Sequence, residues 1–146
     1  MNRDASAPCQ TSLNTGMAWS ILSEIRTLLG RLAEHAESSA IDLRSIPLTE
    51  ADRIQLEELL GRGEVSASLE VLGRTEVWEI GYTGVWWVRH MGAEDQVSSE
   101  EIAITPVPEI LRAHPVDIVA SAERLDTILD DHTREDRDSR EEGKHV

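Results

Sequence analysis

The sequence predicts an α+β domain: an antiparallel meander of three to four strands, packed with two N-terminal helices and a C-terminal helix. Three observations predict it. Apolar residues recur at steps of three and four over 17–36, 49–60 and 115–132, the period of an amphipathic helix. Between the second and third of these the period falls to two, as in a strand with one buried face. Glycines and prolines mark the breaks between the strand segments.

The elements follow in order. Residues 1–14 are small and polar and predict a disordered tail. Over 17–36, Met17, Ile21, Leu22, Ile25, Leu28, Leu29 and Leu32 make one apolar stripe, with Gly30 inside it, and Ser38, Ser39 and Ala40 end the helix. Residues 41–48 read as a connector. Thr49 then stands as an N-cap with Asp52 in the capping-box position. Ile54, Leu56, Leu59 and Leu60 carry that helix to Gly61, which sits where a C-terminal glycine belongs. Val65, Ala67, Leu69 and Val71 alternate with Ser66, Ser68 and Glu70 in a first strand. Gly73 and Arg74 turn the chain into a second strand, Thr75–Ile80. The turn Gly81-Tyr82-Thr83-Gly84 leads to a third, Val85–Met91. Residues 92–99 read as an acidic loop. Glu101–Thr105 is a short fourth strand, stopped by Pro106 and Pro108. Pro115 opens the last helix, striped by Ile118, Val119, Ala122, Leu125, Ile128 and Leu129. Beyond His132 no apolar anchor precedes Val146, so 133–146 predicts a disordered acidic tail and 15–132 a single domain.

Composition excludes several functions. A chain of 146 residues supports one modest core, and with no phenylalanine that core is mainly aliphatic. The net charge of −14 is the wrong sign for nucleic acid or an anionic membrane, and suits docking to basic protein segments. No signal peptide or membrane-spanning run is read, and the one cysteine, Cys9, allows no internal disulfide, so a reducing cytoplasm fits. One thiol builds no iron–sulfur or zinc site, and no cofactor is expected.

Catalytic motifs are not found. There is no phosphate loop, no metalloprotease helix and no nucleophile elbow. The histidines, His35, His90, His114, His132 and His145, are single and scattered, so only folding would join His90 and His114. The neighbouring carboxylates Glu100–Glu101 and Asp130–Asp131 diverge from one another and read as solvated charge.

The informative stretch is 76–91, EVWEIGYTGVWWVRHM. It holds three of the four tryptophans and the only tyrosine. Trp86 and Trp87 are adjacent on a strand and face opposite sides, so one is core and the other is covered by a helix or exposed. An exposed tryptophan beside Tyr82 and Arg89 would have the composition of an interface hot spot. Glu79 lies on the face opposite Trp78 and either accepts from Arg89 or Arg74 across the strands or binds a donor on a partner. The candidate partner-binding residues are therefore Trp78, Glu79, Tyr82, Trp86, Trp87 and Arg89.

This stretch and its approach also carry a family resemblance. Leu59, Leu60, Gly61, Gly63, Glu64 and Val65 lead from a helix into a Gly-x-Gly-Glu-Val strand. Glu79 precedes the hairpin turn, Gly84, Val85, Trp86 and Trp87 follow it, and Ile102, Pro106 and Pro108 close the segment. Over about residues 45–130 the chain resembles the conserved C-terminal region of the HupH/HyaF family of hydrogenase expression proteins. The resemblance implies a non-enzymatic chaperone in the maturation of a nickel–iron uptake hydrogenase. Its partner would be the iron–sulfur small-subunit precursor or a companion maturation chaperone. The acidic surface would meet a basic segment such as a twin-arginine export signal, and the tryptophan hairpin would supply the apolar grip. The alternative is an accessory or scaffold subunit of a hydrogenase complex, docking through the helix at 17–36. A metal carrier built on Cys9 and histidines is a third and poorer fit. Longer family members carry two related halves where this chain has one, and a homodimer would restore the pair.

Overall fold

The computed structural model describes residues 13–70 and 72–144. Cys9, Val71, His145 and the expected tail up to residue 12 lie outside the described residues. The chain divides into two compact units, one ending at Pro108 and the other starting at Glu109.

The first unit is a five-stranded antiparallel sheet with two helices. Helix α1 is Met17–His35 and strand β1 is Ser39–Asp42, followed by a short 3₁₀ turn, Leu43–Ser45. Helix α2 is Glu50–Leu60. Strands β2 (Ser66–Glu70), β3 (Arg74–Glu79), β4 (Val85–Met91) and β5 (Val97–Ile104) follow. The sheet order is β1-β5-β4-β3-β2. The meander from β2 to β5 is the one the sequence predicts, and β1 adds a fifth strand beyond it.

The strand β1 lies in the segment read as a connector. It pairs with β5 from Ser39↔Ile104 to Asp42↔Glu101, yet only Ile41 among its residues is buried. One buried residue makes no visible alternation. Strand β5 starts at Val97, inside the segment read as an acidic loop. Its inward positions are Glu100, Ile102 and Ile104, so a carboxylate takes the inward place just before the strand the sequence reading begins at Glu101. Strand β2 is the opposite edge, and the face expected to be buried is only half covered at Ala67 and Leu69.

Helix α2 begins as predicted. The Thr49 hydroxyl accepts from the Asp52 amide, and the Asp52 carboxylate accepts from the Thr49 amide. Asp52 does more than cap. It is fully buried and accepts 2.7 and 2.6 Å hydrogen bonds from the amide and hydroxyl of Thr15. This ties the entry to α1 onto the start of α2. Burial opposes the charged form of Asp52, but the bonds from Thr15 and Thr49 outweigh it and hold its carboxyl below the ordinary value.

The core lies between the helices and one face of the sheet. Ala18, Ile21 and Ile25 of α1 and Leu56 and Leu60 of α2 meet Trp78, Ile80, Val85, Trp87, Ile102 and Ile104. The loop after α2 is sewn to the β3–β4 hairpin. The Gly63 amide donates to the Glu79 carbonyl at 2.7 Å, and the Gly81 amide donates to the Leu60 carbonyl at 2.8 Å. A Cβ on Gly81 would sit 2.9 Å from the Leu60 oxygen, and one on Gly63 2.9 Å from the Ile80 oxygen. These glycines are there because two backbones touch. Gly81→Ala is expected to cost about 1–3 kcal/mol, read as a lowered urea midpoint. An unchanged midpoint would show that the loop and the hairpin are not in register-defining contact.

The second unit holds a 3₁₀ turn, Glu109–Leu111, and helix α3, Pro115–Glu142. Pro115 stands at the first turn as predicted, and His114 caps it by accepting from the Val116 amide. The helix runs past His132 to Glu142, within the stretch expected to be a tail, with His132–Asp136 and Arg134–Asp131 at helical spacing. Helix α3 lies in the second unit, and none of its residues is buried.

Candidate partner-binding surface

The tryptophan hairpin is a core element. Trp78 and Trp87 are directly opposed across β3 and β4, and their rings stack with centroids 5.6 Å apart and 11° between planes. They are 5% and 1% exposed. Trp86 faces the other side of the sheet, as strand parity requires, yet it is only 6% exposed, and its indole N–H donates to the Thr105 carbonyl at 3.0 Å. Of the two alternatives for the second tryptophan, covered or exposed, the structure has it buried.

Glu79 does not pair with Arg89 or Arg74. The register sets Glu79 opposite Trp86, whereas Arg74 and Arg89 share the face of Trp78 and Trp87. Arg74 approaches Glu76 instead. Arg89 turns to a centre that sequence reading placed in solvent. Glu100 is 1% exposed and accepts from Arg89 Nε at 2.6 Å, from the Trp87 indole at 3.1 Å and from Arg53 of α2. A second arm of Arg89 reaches Glu57 of α2 at 3.1 Å. Arg89 and Arg62 also lie over the Trp78 ring, 5.1 and 4.3 Å from its centroid. Burial opposes ionisation of Glu100, but the bonds from Arg89, Arg53 and Trp87 outweigh it and hold its carboxyl below the usual range. The arrangement joins helix to sheet.

The His90 ring nitrogen Nδ1 is 2.6 Å from the Thr75 hydroxyl. No group of three or more metal-ligating side chains gathers among the described residues. No helix among them is long and apolar enough to cross a membrane.

The exposed aromatics are Trp19 (55%) and Tyr82 (49%). They flank a groove of about 570 Å³ along the outer face of α1. Its floor comes from Leu22, Ser23, Arg26, Leu29, Gly30 and Ala33, at helical steps of three and four. The hairpin turn is held beside this face, because Gly84 has φ +89° and lies against Leu29 and Leu32, and this presents Tyr82 at the rim. Of the six predicted site residues, Tyr82 alone reaches an exposed apolar surface. Sequence reading missed Trp19 because it falls outside the α1 stripe. That off-stripe tryptophan, with Ser23 and Gly30 on its own face, was the available signal.

Residues 16–131 match the family described as HupH hydrogenase expression protein, C-terminal conserved region. The chain is 32% identical over 93 residues to the hydrogenase-1 operon protein HyaF of Escherichia coli (strain K12), covering 64% of this chain and 33% of that protein. It is 30% identical over 107 residues to the hydrogenase expression/formation protein HoxQ of Azotobacter vinelandii, covering 72% and 38%. Its fold is similar to that of the hydrogenase expression protein HupH from Thiobacillus denitrificans ATCC 25259. The TM-score is 0.78 at 35% identity, over 82% of this chain and 99% of that one. The chain thus spans about a third of the length of the relatives HyaF and HoxQ. The glycines that bring the α2 loop against the tryptophan hairpin fall inside the matched residues, and this chain belongs to the HupH hydrogenase expression protein family through that family's C-terminal conserved region.

Proposed function

We propose that this chain is a non-catalytic maturation factor for a nickel–iron uptake hydrogenase, acting in the cytoplasm. Its client would be the iron–sulfur small-subunit precursor or a companion maturation chaperone. Family membership supports the role, because the relatives are hydrogenase expression and formation proteins. The observation that carries the means is the α1 groove, an open apolar trough between Trp19 and Tyr82 on a protein of net charge −14. An export signal joins a basic segment to an apolar one. The acidic surface would draw in the first and the groove would hold the second.

A tagged full chain recovered from its native cells tests this. Wild type is expected to bring down unprocessed small subunit with its signal peptide attached. Trp19→Asp is expected to lose that capture while remaining folded, because Trp19 is 55% exposed and outside the core. Recovery of mature enzyme alone would favour the accessory-subunit reading, and full capture by Trp19→Asp would remove the groove from the mechanism.

A further inference from the structure

The wall that Trp19 gives the α1 groove stands on a thinly supported part of its helix. Trp19 is the third residue of α1, in the first turn, where backbone N–H groups have no partner within the helix. The N-cap is Gly16, at φ +85°, with no side chain to accept from them. No acidic residue in this turn favours the helix start. Met17 is half-buried, Ser20 is exposed, and Ala18 is the one buried residue of the turn. A single methyl group is a small anchor for a turn that carries a large, 55% exposed indole.

The turn is held from the residues before it. Thr15 donates through its amide to one carboxylate oxygen of Asp52 and through its hydroxyl to the other. The same hydroxyl lies 3.4 Å from the Met17 amide and accepts from it, so it takes up one N–H of the turn. Two residues earlier, the Leu13 carbonyl accepts from the Thr49 hydroxyl at 2.6 Å. Residues 13–15 therefore form a short strap across the start of α2, bonded at both ends. The group that holds it is a fully buried carboxylate. Bonds to such a group are strong, and leaving it unsatisfied is costly, so the strap and Asp52 secure each other.

We infer that Asp52 is a positioning residue for the groove: through the strap at 13–15 it fixes the first turn of α1, and with it the place of Trp19. It does so whatever fills the groove. The link from Trp19 to client capture rests on the proposed function, whereas the hold of Asp52 on Trp19 does not.

Tryptophan fluorescence of the purified full chain tests that hold with no hydrogenase present. The other three tryptophans are buried, so acrylamide reaches Trp19 first. Subtracting the matching Trp19→Phe chain isolates its emission. Thr15→Val keeps the shape of threonine and removes the hydroxyl, while the Thr49 cap of α2 stays in place. It is expected to remain folded, with lower Trp19 anisotropy and stronger quenching than wild type. Thr15→Ser returns the hydroxyl and is expected to return both readings to wild type. Asp52→Asn is expected to show the larger loss of anisotropy, because an amide has one acceptor oxygen where the strap and the cap use two. Should that variant fail to fold, the two Thr15 variants decide. Ile102→Val, a core change outside the strap, is expected to lower the melt and leave Trp19 emission unchanged. Wild-type Trp19 readings in Thr15→Val overturn the inference, and so does equal loosening in Ile102→Val. Capture of the small-subunit precursor is read separately. A loosened Trp19 with undiminished capture supports the strap and counts against the groove's part in the proposed function.

Discussion

Glu100→Gln is expected to lower the stability of the folded chain by about 3 kcal/mol, the low end of what breaking a buried ion pair costs. The amide keeps the shape of the carboxylate and loses its charge. Arg53 and Arg89 then face each other across a neutral group, and the Trp87 indole keeps one weaker acceptor. The low end applies because the two arginine side chains are 27% and 21% exposed, so water takes part in screening them. Urea unfolding followed by tryptophan fluorescence reads the loss. The acid limb of the stability profile gives an independent check. The folded carboxyl titrates below its unfolded value, so its contribution is complete above the ordinary glutamate range and fades as pH falls through the folded pKa. Wild type should therefore lose stability on acidification more steeply than Glu100→Gln. Equal midpoints at neutral pH and parallel acid limbs would mean that the charge is solvated after all.

The same residue shows where the sequence stops being legible. Glu100 stands beside Glu101, and nothing in a Ser-Ser-Glu-Glu run says that one carboxylate is covered and the other is not. The answer depends on Arg53 and Arg89, which lie 47 and 11 residues away along the chain. Local chemistry was readable. The reciprocal cap of Thr49 and Asp52, the glycine stop after Leu60, the β3–β4 hairpin and the Pro115 start all depend on neighbours within a few residues, and all are observed. Features set by distant partners were not readable. Strand β1 exists because β5 offers an edge, and Asp52 is buried because Thr15 closes over it. The charged C-terminal run looked unable to fold for want of apolar residues, yet Arg134 and Asp131 sit at helical spacing within it. The candidate site followed the same divide. Clustered tryptophans signal importance without distinguishing a core from a contact surface, and here the cluster is core.

Trp87→Ala is expected to destabilise the chain by about 3–5 kcal/mol. Trp87 is 1% exposed, stacks on Trp78 and donates to Glu100. Its removal opens a cavity next to a buried carboxylate that also loses a donor, and because both losses fall on one network they are coupled rather than independent. A domain with a total stability of about 5–15 kcal/mol tolerates this barely or not at all. Far-ultraviolet dichroism on heating is expected to show a much lower or broadened transition. Trp19→Ala, by contrast, truncates a ring that is 55% exposed and outside the core, and should cost far less than Trp87→Ala. The contrast decides how loss of hydrogenase assembly is to be interpreted. A hairpin variant that abolishes assembly reports on folding, whereas a Trp19 variant that does so with an unchanged melt reports on docking. A Trp87→Ala chain that melts like wild type would return the hairpin to the surface and reverse that assignment.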